Sequence, residues 1–323
     1  DVARRYGLTK VLSFDMGGTT AKICLIRGGT PKTARVFEVA RSYRFKKGSG
    51  MPISIPVIDM VEIGAGGGSI AHVDAGGMLA VGPESAGSRP GPVAYGQGNT
   101  RPTLTDANIV LGRINADKPI GGKLARLDVE AARAAILKSI GEPLGLGAEA
   151  AAEAVIRVAN ARMAGAIRLV SIERGHDPAR FALLPFGGGA LIRDVGLRSA
   201  LVPRYPGITS ALGCIMADIR HDQVMTVNLM LDSVDAGALD ARMIEAGQQA
   251  HAVVATSGLS MERIDITYEL DMHYQGQTHT VAVPLPVTLA GTASTGISPA
   301  IIRAAFERAY AEAFSRLLPG IPV

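Results

Sequence analysis

The residues best suited to chemistry lie in a short glycine turn near the start of the chain. Residues 15–20 read Asp-Met-Gly-Gly-Thr-Thr, between the apolar runs 10–14 and 22–26. That order predicts a strand, a tight turn and a second strand. Gly17 and Gly18 let the backbone approach an anion without interference from a Cβ atom, so that successive N–H groups point at it. The pattern therefore predicts a phosphate-binding hairpin.

The polar side chains of the same turn add to this prediction. Thr19 and Thr20 supply hydroxyl donors, and Asp15 stands at the mouth of the turn. An aspartate there is placed to hold a hydrated Mg²⁺ ion or to orient a water molecule, so Asp15 is predicted to be both catalytic and metal-binding. The alternative is a hairpin whose glycines serve turn geometry and whose aspartate caps the turn. The residues alone leave both interpretations open.

A second glycine cluster occupies residues 64–69, which read Gly-Ala-Gly-Gly-Gly-Ser. A dinucleotide-binding fingerprint needs a helix directly afterwards, and the alternating pattern of residues 70–74 predicts a strand instead. A second loop that contacts phosphate or substrate remains open, as does a purely structural turn. The candidate binding residues of this cluster are Gly66, Gly67, Gly68 and Ser69.

A third cluster, Gly187, Gly188 and Gly189, separates an apolar strand over residues 181–186 from a helical pattern that begins at residue 190. Glycines there allow close approach to a base or ribose, and the following helix N-terminus favours phosphate. A tight connection without a ligand is the alternative. One glycine turn between paired strands and another between strand and helix is the arrangement of the actin, sugar-kinase and heat-shock-chaperone ATPase fold.

A different kind of candidate site lies at residues 218–222, which read Asp-Ile-Arg-His-Asp. Asp218 and His221 would suit proton transfer or metal binding, and are the remaining catalytic candidates. A purely structural ion-pair network at a helix end is the alternative. The sequence has no Cys/His cluster with zinc-site spacing and no Gly-x-Ser-x-Gly motif.

The elements that position these residues predict an α/β fold with a mixed sheet and additional β-rich segments. Residues 1–230 form the predicted nucleotide-binding domain, and residues 231–323 a C-terminal α/β region. Within the first, residues 10–82 are β-rich, 83–126 are rich in proline and glycine, and 127–230 hold helices and the third glycine turn.

Local patterns also predict individual elements. Thr105 and Asp106 predict the start of a short helix, Asp128 predicts a second helix start, and residues 148–173 carry a long helical periodicity. Residues 224–231 predict a strand.

Composition restricts the class of protein. The chain has 323 residues, 47% hydrophobic and 19% charged, with a net charge of +4 and no tryptophan, which indicates a globular protein with an aliphatic core. The basic cluster at residues 41–47 is more typical of a solvated strand and loop than of a nucleic-acid site. No apolar run reaches about 18 residues, so we expect no membrane span. Two cysteines in apolar settings favour a reducing compartment, and we expect a cytoplasmic protein.

Several long strings, in order, resemble the hydantoinase A/oxoprolinase family from about residue 10 to residue 230. The strings that carry the resemblance are residues 14–20, 62–71, 81–87, 102–108, 210–213 and 217–222, with a weaker one at 274–277. The resemblance implies the actin-like ATPase fold, with a ribonuclease H-like mixed sheet, and an ATP-dependent enzyme.

The resemblance also implies a division of labour. An A component would use ATP and Mg²⁺ to phosphorylate the carbonyl oxygen of a cyclic amide, or of a ketone to be carboxylated. A B-type subunit or domain would then complete hydrolysis or carboxylation. A non-catalytic ATP-binding or scaffold subunit, and a small-molecule kinase of the same fold, are the alternatives.

Three departures from the family pattern stand out. Lys22 occupies a position where the family commonly has aspartate, which affects any metal or water role there. The segment after Gly189 is shorter than in the family. An upstream domain with its own phosphate loop is absent from this sequence, so we expect the native polypeptide to be longer.

Overall fold

A computed structural model describes most of the chain. The described residues are 2–40, 42, 49–119, 126–172, 175–187, 197–278, 280–287 and 295–323. By its internal contacts the chain divides into two compact units, residues 1–216 and 217–323. The predicted helix start at residue 190 and most of the basic cluster at 41–47 lie outside the described residues.

The strands and helices of the described residues have the following bounds. The strands are β1 (Lys10–Met16), β2 (Ala21–Arg27), β3 (Thr30–Pro31), β4 (Thr33–Val39), β5 (Met51–Ile58), β6 (Met60–Ile63), β7 (Ser69–Val73), β8 (Leu79–Ser85), β9 (Ala182–Gly187), β10 (Ser199–Ala200), β11 (Glu269–Met272) and β12 (Val281–Pro284). The helices are α1 (Val2–Arg5), α2 (Leu104–Val110), α3 (Val129–Ile136), α4 (Glu142–Leu144), α5 (Ala148–Val170), α6 (Thr209–Ile215), α7 (Ala236–Ala255) and α8 (Pro299–Phe314).

The central sheet of the first unit is mixed, which confirms that part of the predicted fold class. Its order is β10-β9-β1-β2-β3, with β6 also paired to β2. Strand β1 runs antiparallel to β2 and parallel to β9. The finer assignment to the actin-like ATPase fold stays a prediction.

The buried face of this sheet packs against the long helix α5. Leu12, Phe14 and Ile23 are completely buried on β1 and β2, because apolar side chains alternate along both strands. Helix α5 contacts β2 and β6, and its Met163 and Ile167 are buried in the same apolar core as the side chains of these strands. This packing fixes the β1–β2 hairpin, and therefore the glycine turn at its end, to a rigid layer.

Two helix starts show how well local signals predict caps. Asp128 caps α3 as predicted, accepting from the backbone N–H of Ala131 at 2.9 Å. Helix α2 begins one residue earlier than predicted, with Thr103 as its N-cap. Asp106 does not start the helix, because its carboxylate turns back to Thr103 and forms a capping box.

The second unit contains α7, α8 and the β11–β12 hairpin. Its core includes an aromatic cluster in which Tyr274 meets Phe306 and Tyr310 edge to face, with ring centroids 4.9 and 4.8 Å away. The predicted strand at residues 224–231 was wrong: that segment is not paired in a sheet, and the side chain of Val224 is 68% exposed. Within the described part of the chain, no helix is long and apolar enough to cross a membrane.

Candidate functional site

The first glycine turn closes the β1–β2 hairpin and carries unused hydrogen-bond donors. The pairing of the two strands ends at Met16, and the N–H of Gly17 donates to the carbonyl of Thr20 at 2.9 Å. Among the described residues, the N–H groups of Gly18, Thr19 and Thr20 donate to no protein group, and Gly18 and Thr19 are exposed. Three consecutive free N–H groups at a turn suit an anion.

Asp15 lies at the edge of this turn and is held by a residue distant in sequence. Its Oδ2 atom accepts a hydrogen bond from the Ser210 hydroxyl at 3.2 Å. Ser210 is the second residue of α6, so that helix is brought to the turn within the first unit. No individual role was predicted for Ser210, and its place in the family-like string at residues 210–213 was the signal that could have identified it.

Lys22 places a positive charge beside the turn. Its Nζ atom lies 3.4 Å from the Thr20 hydroxyl and 3.7 Å from a carboxylate oxygen of Glu62. An ammonium group there attracts a phosphate, but it cannot take the place of a carboxylate as a metal ligand.

The described residues fit a magnesium ion that is bound together with a phosphate ligand. They contain no group of three or more His, Cys, Asp or Glu side chains that could hold a metal. Mg²⁺ is commonly bound by one or two carboxylates together with substrate phosphates and waters. Asp15 therefore fits an ion that arrives with a phosphate, and it does not fit a resident metal centre.

The third glycine cluster begins next to the first. In the parallel pairing of β1 with β9, Met16 lies opposite Gly187. The carboxyl end of β9 therefore reaches the same edge of the sheet as the glycine turn. Gly188 and Gly189 lie outside the described residues, so their predicted role stays a prediction.

The second glycine cluster is in direct contact with the first. The N–H groups of Gly67 and Gly68 donate to the carbonyls of Gly17 and Gly18, at 3.0 and 2.6 Å. Gly66, Gly68 and Ser69 are buried. The structure thus brings residues 66–69 to the predicted phosphate site, through backbone contacts that the sequence did not reveal; their predicted contact with the cofactor stays a prediction.

The remaining catalytic candidates belong to the second unit. Asp218 and His221 are exposed. Between them Arg220 donates to Asp222, from Nη2 at 2.6 Å and from Nε at 2.9 Å, and this hydrogen bond raises the pKa of the Arg220 guanidinium. Catalytic roles for Asp218 and His221 stay predictions.

An exposed ion pair was not evident in the sequence. Arg101 donates to both carboxylate oxygens of Glu84, at 2.6 and 2.7 Å. The hydrogen bond from Arg101 holds the pKa of Glu84 below its usual value. The pair joins the end of β8 to the segment before α2. Ala86, which follows β8, and Thr105 of α2 donate hydrogen bonds to the carbonyls of Gly68 and Gly67.

Several known proteins are similar to this chain along all or nearly all of its length. The profile of the family described as Hydantoinase/oxoprolinase matches residues 1–223. The chain is 38% identical over 331 residues to caprolactamase subunit alpha of Pseudomonas jessenii, covering 100% of this chain and 46% of that protein. It is 32% identical to the acetophenone carboxylase gamma subunit of Aromatoleum aromaticum, covering 99% of this chain and 44% of that protein.

The fold of this chain is also similar to that of a solved structure. The crystal structure of the ATP-dependent caprolactamase of Pseudomonas jessenii superposes with a TM-score of 0.72 at 36% identity, over 99% of this chain and 46% of that one. The chain therefore spans less than half the length of these relatives.

Proposed function

The chain belongs to the hydantoinase/oxoprolinase family, and from that premise we propose that it is the ATP-binding part of an enzyme that activates a carbonyl oxygen by phosphorylation. The preferred substrate class is a cyclic amide, which is supported by 38% identity to a caprolactamase subunit along the whole chain. A ketone substrate is the second candidate, supported by 32% identity to an acetophenone carboxylase subunit.

One observation carries the proposal: within the part of the chain that the structure describes, the consecutive N–H groups of Gly18, Thr19 and Thr20 donate to no protein group, at a turn whose edge holds a carboxylate. The phosphates of a nucleotide are the anion that such a turn fits. Phosphoryl transfer asks the protein chiefly for positioning and charge neutralisation, so N–H donors and few reactive side chains are sufficient.

Each residue of the site has a part in this chemistry. Bound Mg·ATP supplies the phosphoryl group that turns a poor leaving oxygen into a good one. The N–H donors of the turn and the Lys22 ammonium neutralise phosphate charge, while Asp15, held by Ser210, takes the metal that accompanies the nucleotide. Gly187 lies beside Met16, where the nucleoside would follow the phosphates.

The relatives are named as subunits, which supports a partner. We propose that a B-type subunit or domain completes hydrolysis or carboxylation after the carbonyl oxygen has been activated. The protein is proposed to act in the cytoplasm, where ATP is available.

The test is release of ADP by the full-length polypeptide, with and without its partner subunit. Lactams of caprolactam type, hydantoins, 5-oxoproline, and aryl ketones with bicarbonate are the substrates to screen. We expect ADP release that requires both a cyclic amide and the partner. Absence of ADP under every condition would support a non-catalytic subunit, and a stable phosphorylated product without the partner would support a kinase.

Asp15→Asn is the informative variant, since it keeps the side-chain shape and removes the charge. We expect ADP release to be abolished while the thermal transition is unchanged. Asp128→Asn, an exposed aspartate that caps α3 in the same unit, is the matched control and should leave ADP release intact. Wild-type ADP release by Asp15→Asn would exclude Asp15 as the holder of the metal.

A further inference from the structure

We infer that residues 66–69 are a positioning element that orients the phosphate-binding N–H groups of the first glycine turn, and that their own N–H groups do not bind phosphate. This inference rests on the proposed function of that turn. It assigns residues 66–69 a different role from a second phosphate loop. We refer to residues 66–69 as the brace.

The geometry of the trans peptide explains how the brace acts. In a trans peptide the carbonyl of one residue and the N–H of the next point in opposite directions. Because the carbonyl of Gly17 points at the brace, the N–H of Gly18 points away from it. The carbonyl of Gly18 is held in the same way, so the N–H of Thr19 also points away. Two hydrogen bonds from the brace thus turn two donors outward.

The donors of the brace are already used. The N–H of Gly66 donates to the Ser69 hydroxyl at 2.9 Å, and the N–H of Ser69 donates to the carbonyl of Gly66 at 3.0 Å. With Gly67 and Gly68 bonded to the first turn, all N–H groups from 66 to 69 have partners inside the chain. An anion would have to break one of these bonds before it could bind there.

The three glycines of the brace are explained by close backbone approach. A Cβ atom on Gly66 would lie 2.7 Å from the carbonyl oxygens of both Gly17 and Gly18. One on Gly68 would lie 2.8 Å from the Ser85 hydroxyl, and one on Gly67 would lie 2.8 Å from the Thr105 hydroxyl. None of the three has a positive φ, so turn geometry does not require glycine at these positions.

The brace is itself fixed to the core. The carbonyl of Gly67 accepts from the Thr105 backbone N–H at 2.8 Å and from its hydroxyl at 2.9 Å. The carbonyl of Gly68 accepts from the N–H of Ala86 at 2.9 Å. All four N–H groups of the brace and the carbonyls of Gly66, Gly67 and Gly68 are therefore hydrogen-bonded, as expected of a rigid support.

The direct test is amide hydrogen exchange of the full-length protein, alone and with saturating Mg·ADP. We expect the amides of Gly67 and Gly68 to be protected without nucleotide and to change little when it is added. The amides of Gly18 and Thr19 should exchange rapidly at first and become protected by Mg·ADP.

Each other outcome decides one of the two proposals. Protection of Gly67 and Gly68 that appears only with Mg·ADP would overturn the brace and support direct phosphate binding. Rapid exchange of these amides without nucleotide, and no protection with it, would overturn the brace as well. If Mg·ADP changes the amide exchange of neither loop, the proposed nucleotide-binding function fails. The positioning role of the brace is then judged from the protection of the Gly67 and Gly68 amides without nucleotide.

The affinity of a Gly66→Ala variant for Mg·ADP is a second test of the brace. Gly66→Ala forces the two loops apart without touching the nucleotide, and we expect Mg·ADP to bind at least about tenfold more weakly, since displacements near 1 Å carry effects of this size or larger. Gly165→Ala in α5, whose Cβ meets nothing within 4 Å, is the matched control and should bind normally. Normal Mg·ADP affinity in a folded Gly66→Ala protein would contradict the brace.

Discussion

The buried carboxylate of Asp106 accepts hydrogen bonds from two segments of the first unit, and substitution of this residue tests how much these bonds contribute to stability. Its Oδ1 accepts from the N–H of Ala94 at 2.9 Å, and its Oδ2 accepts from the N–H of Val93 at 3.1 Å. The same Oδ2 accepts from the N–H and the hydroxyl of Thr103, both at 2.8 Å. The residue is 0% exposed, so water does not reach these donors.

Removing the carboxylate leaves three backbone N–H groups buried without an acceptor. Each unsatisfied buried donor costs about 1–3 kcal/mol, so we expect Asp106→Ala to lower the free energy of unfolding by about 4–6 kcal/mol after some relaxation. Asp106→Asn keeps one oxygen for the donors on Oδ2 and turns an NH₂ group toward Ala94. Its cost should therefore be about 1–3 kcal/mol, that of one lost acceptor.

Scanning calorimetry of the first unit's transition measures these differences. A change of 1 kcal/mol corresponds to about 2–4 °C for a unit of this size, so we expect Asp106→Ala to lower Tm by about 8–24 °C and Asp106→Asn by about 2–12 °C. Asp128→Ala is the matched control, since that aspartate is exposed and accepts one backbone bond, for a cost of about 0.5–2 kcal/mol. If Asp106→Ala lowered Tm no more than Asp128→Ala, the three backbone N–H groups that Asp106 accepts from would not carry the expected cost of buried, unsatisfied donors.

Three further outcomes follow from the site. Ser210→Ala should lower kcat for ADP release by about tenfold at unchanged KM, because Asp15 loses the donor that orients it, whereas Ser210→Thr should retain activity. Lys22→Met should weaken Mg·ATP binding several-fold and reduce its salt dependence, since the Lys22 ammonium is half-exposed and screened by ions; an unchanged salt dependence would exclude a direct charge effect. Arg101→Met should raise the pKa of Glu84 toward the ordinary glutamate value, as carboxyl titration by NMR would measure. Because the folded-state pKa of Glu84 is lowered, the pair stabilises above the unfolded pKa, and this contribution is lost as pH falls below about 4.

Strongly periodic segments of the fold could be predicted from sequence. The β1–β2 hairpin follows from alternating apolar residues on both sides of a glycine pair, and α5 from its long helical periodicity. The predicted strand at 224–231 failed for a physical reason. Alternation stabilises a strand only when a neighbour accepts its hydrogen bonds and covers one face, and Leu229 is 56% exposed.

Contacts between distant residues could not be predicted in the same way. Ser210 meets Asp15 across 195 positions, and nothing in a Thr-Ser-Ala-Leu string specifies that partner. The contact between the two glycine loops could not be predicted from the sequence either, because glycine is required whether the close neighbour is a ligand or another backbone segment. Only the pairing of carbonyls and N–H groups separates these two cases.

That separation gives a physical criterion for the function of a glycine cluster. A cluster that binds an anion must keep its N–H groups free, as Gly18 and Thr19 do among the described residues. Its carbonyls must point elsewhere, as those of Gly17 and Gly18 do. A cluster that supports another loop must donate its N–H groups to the carbonyls of that loop, as Gly67 and Gly68 do. The two requirements are complementary, since each peptide of the first turn that is held by its oxygen must present its N–H on the opposite side. Two glycine clusters in contact can therefore form one anion site in which a single loop touches the ligand.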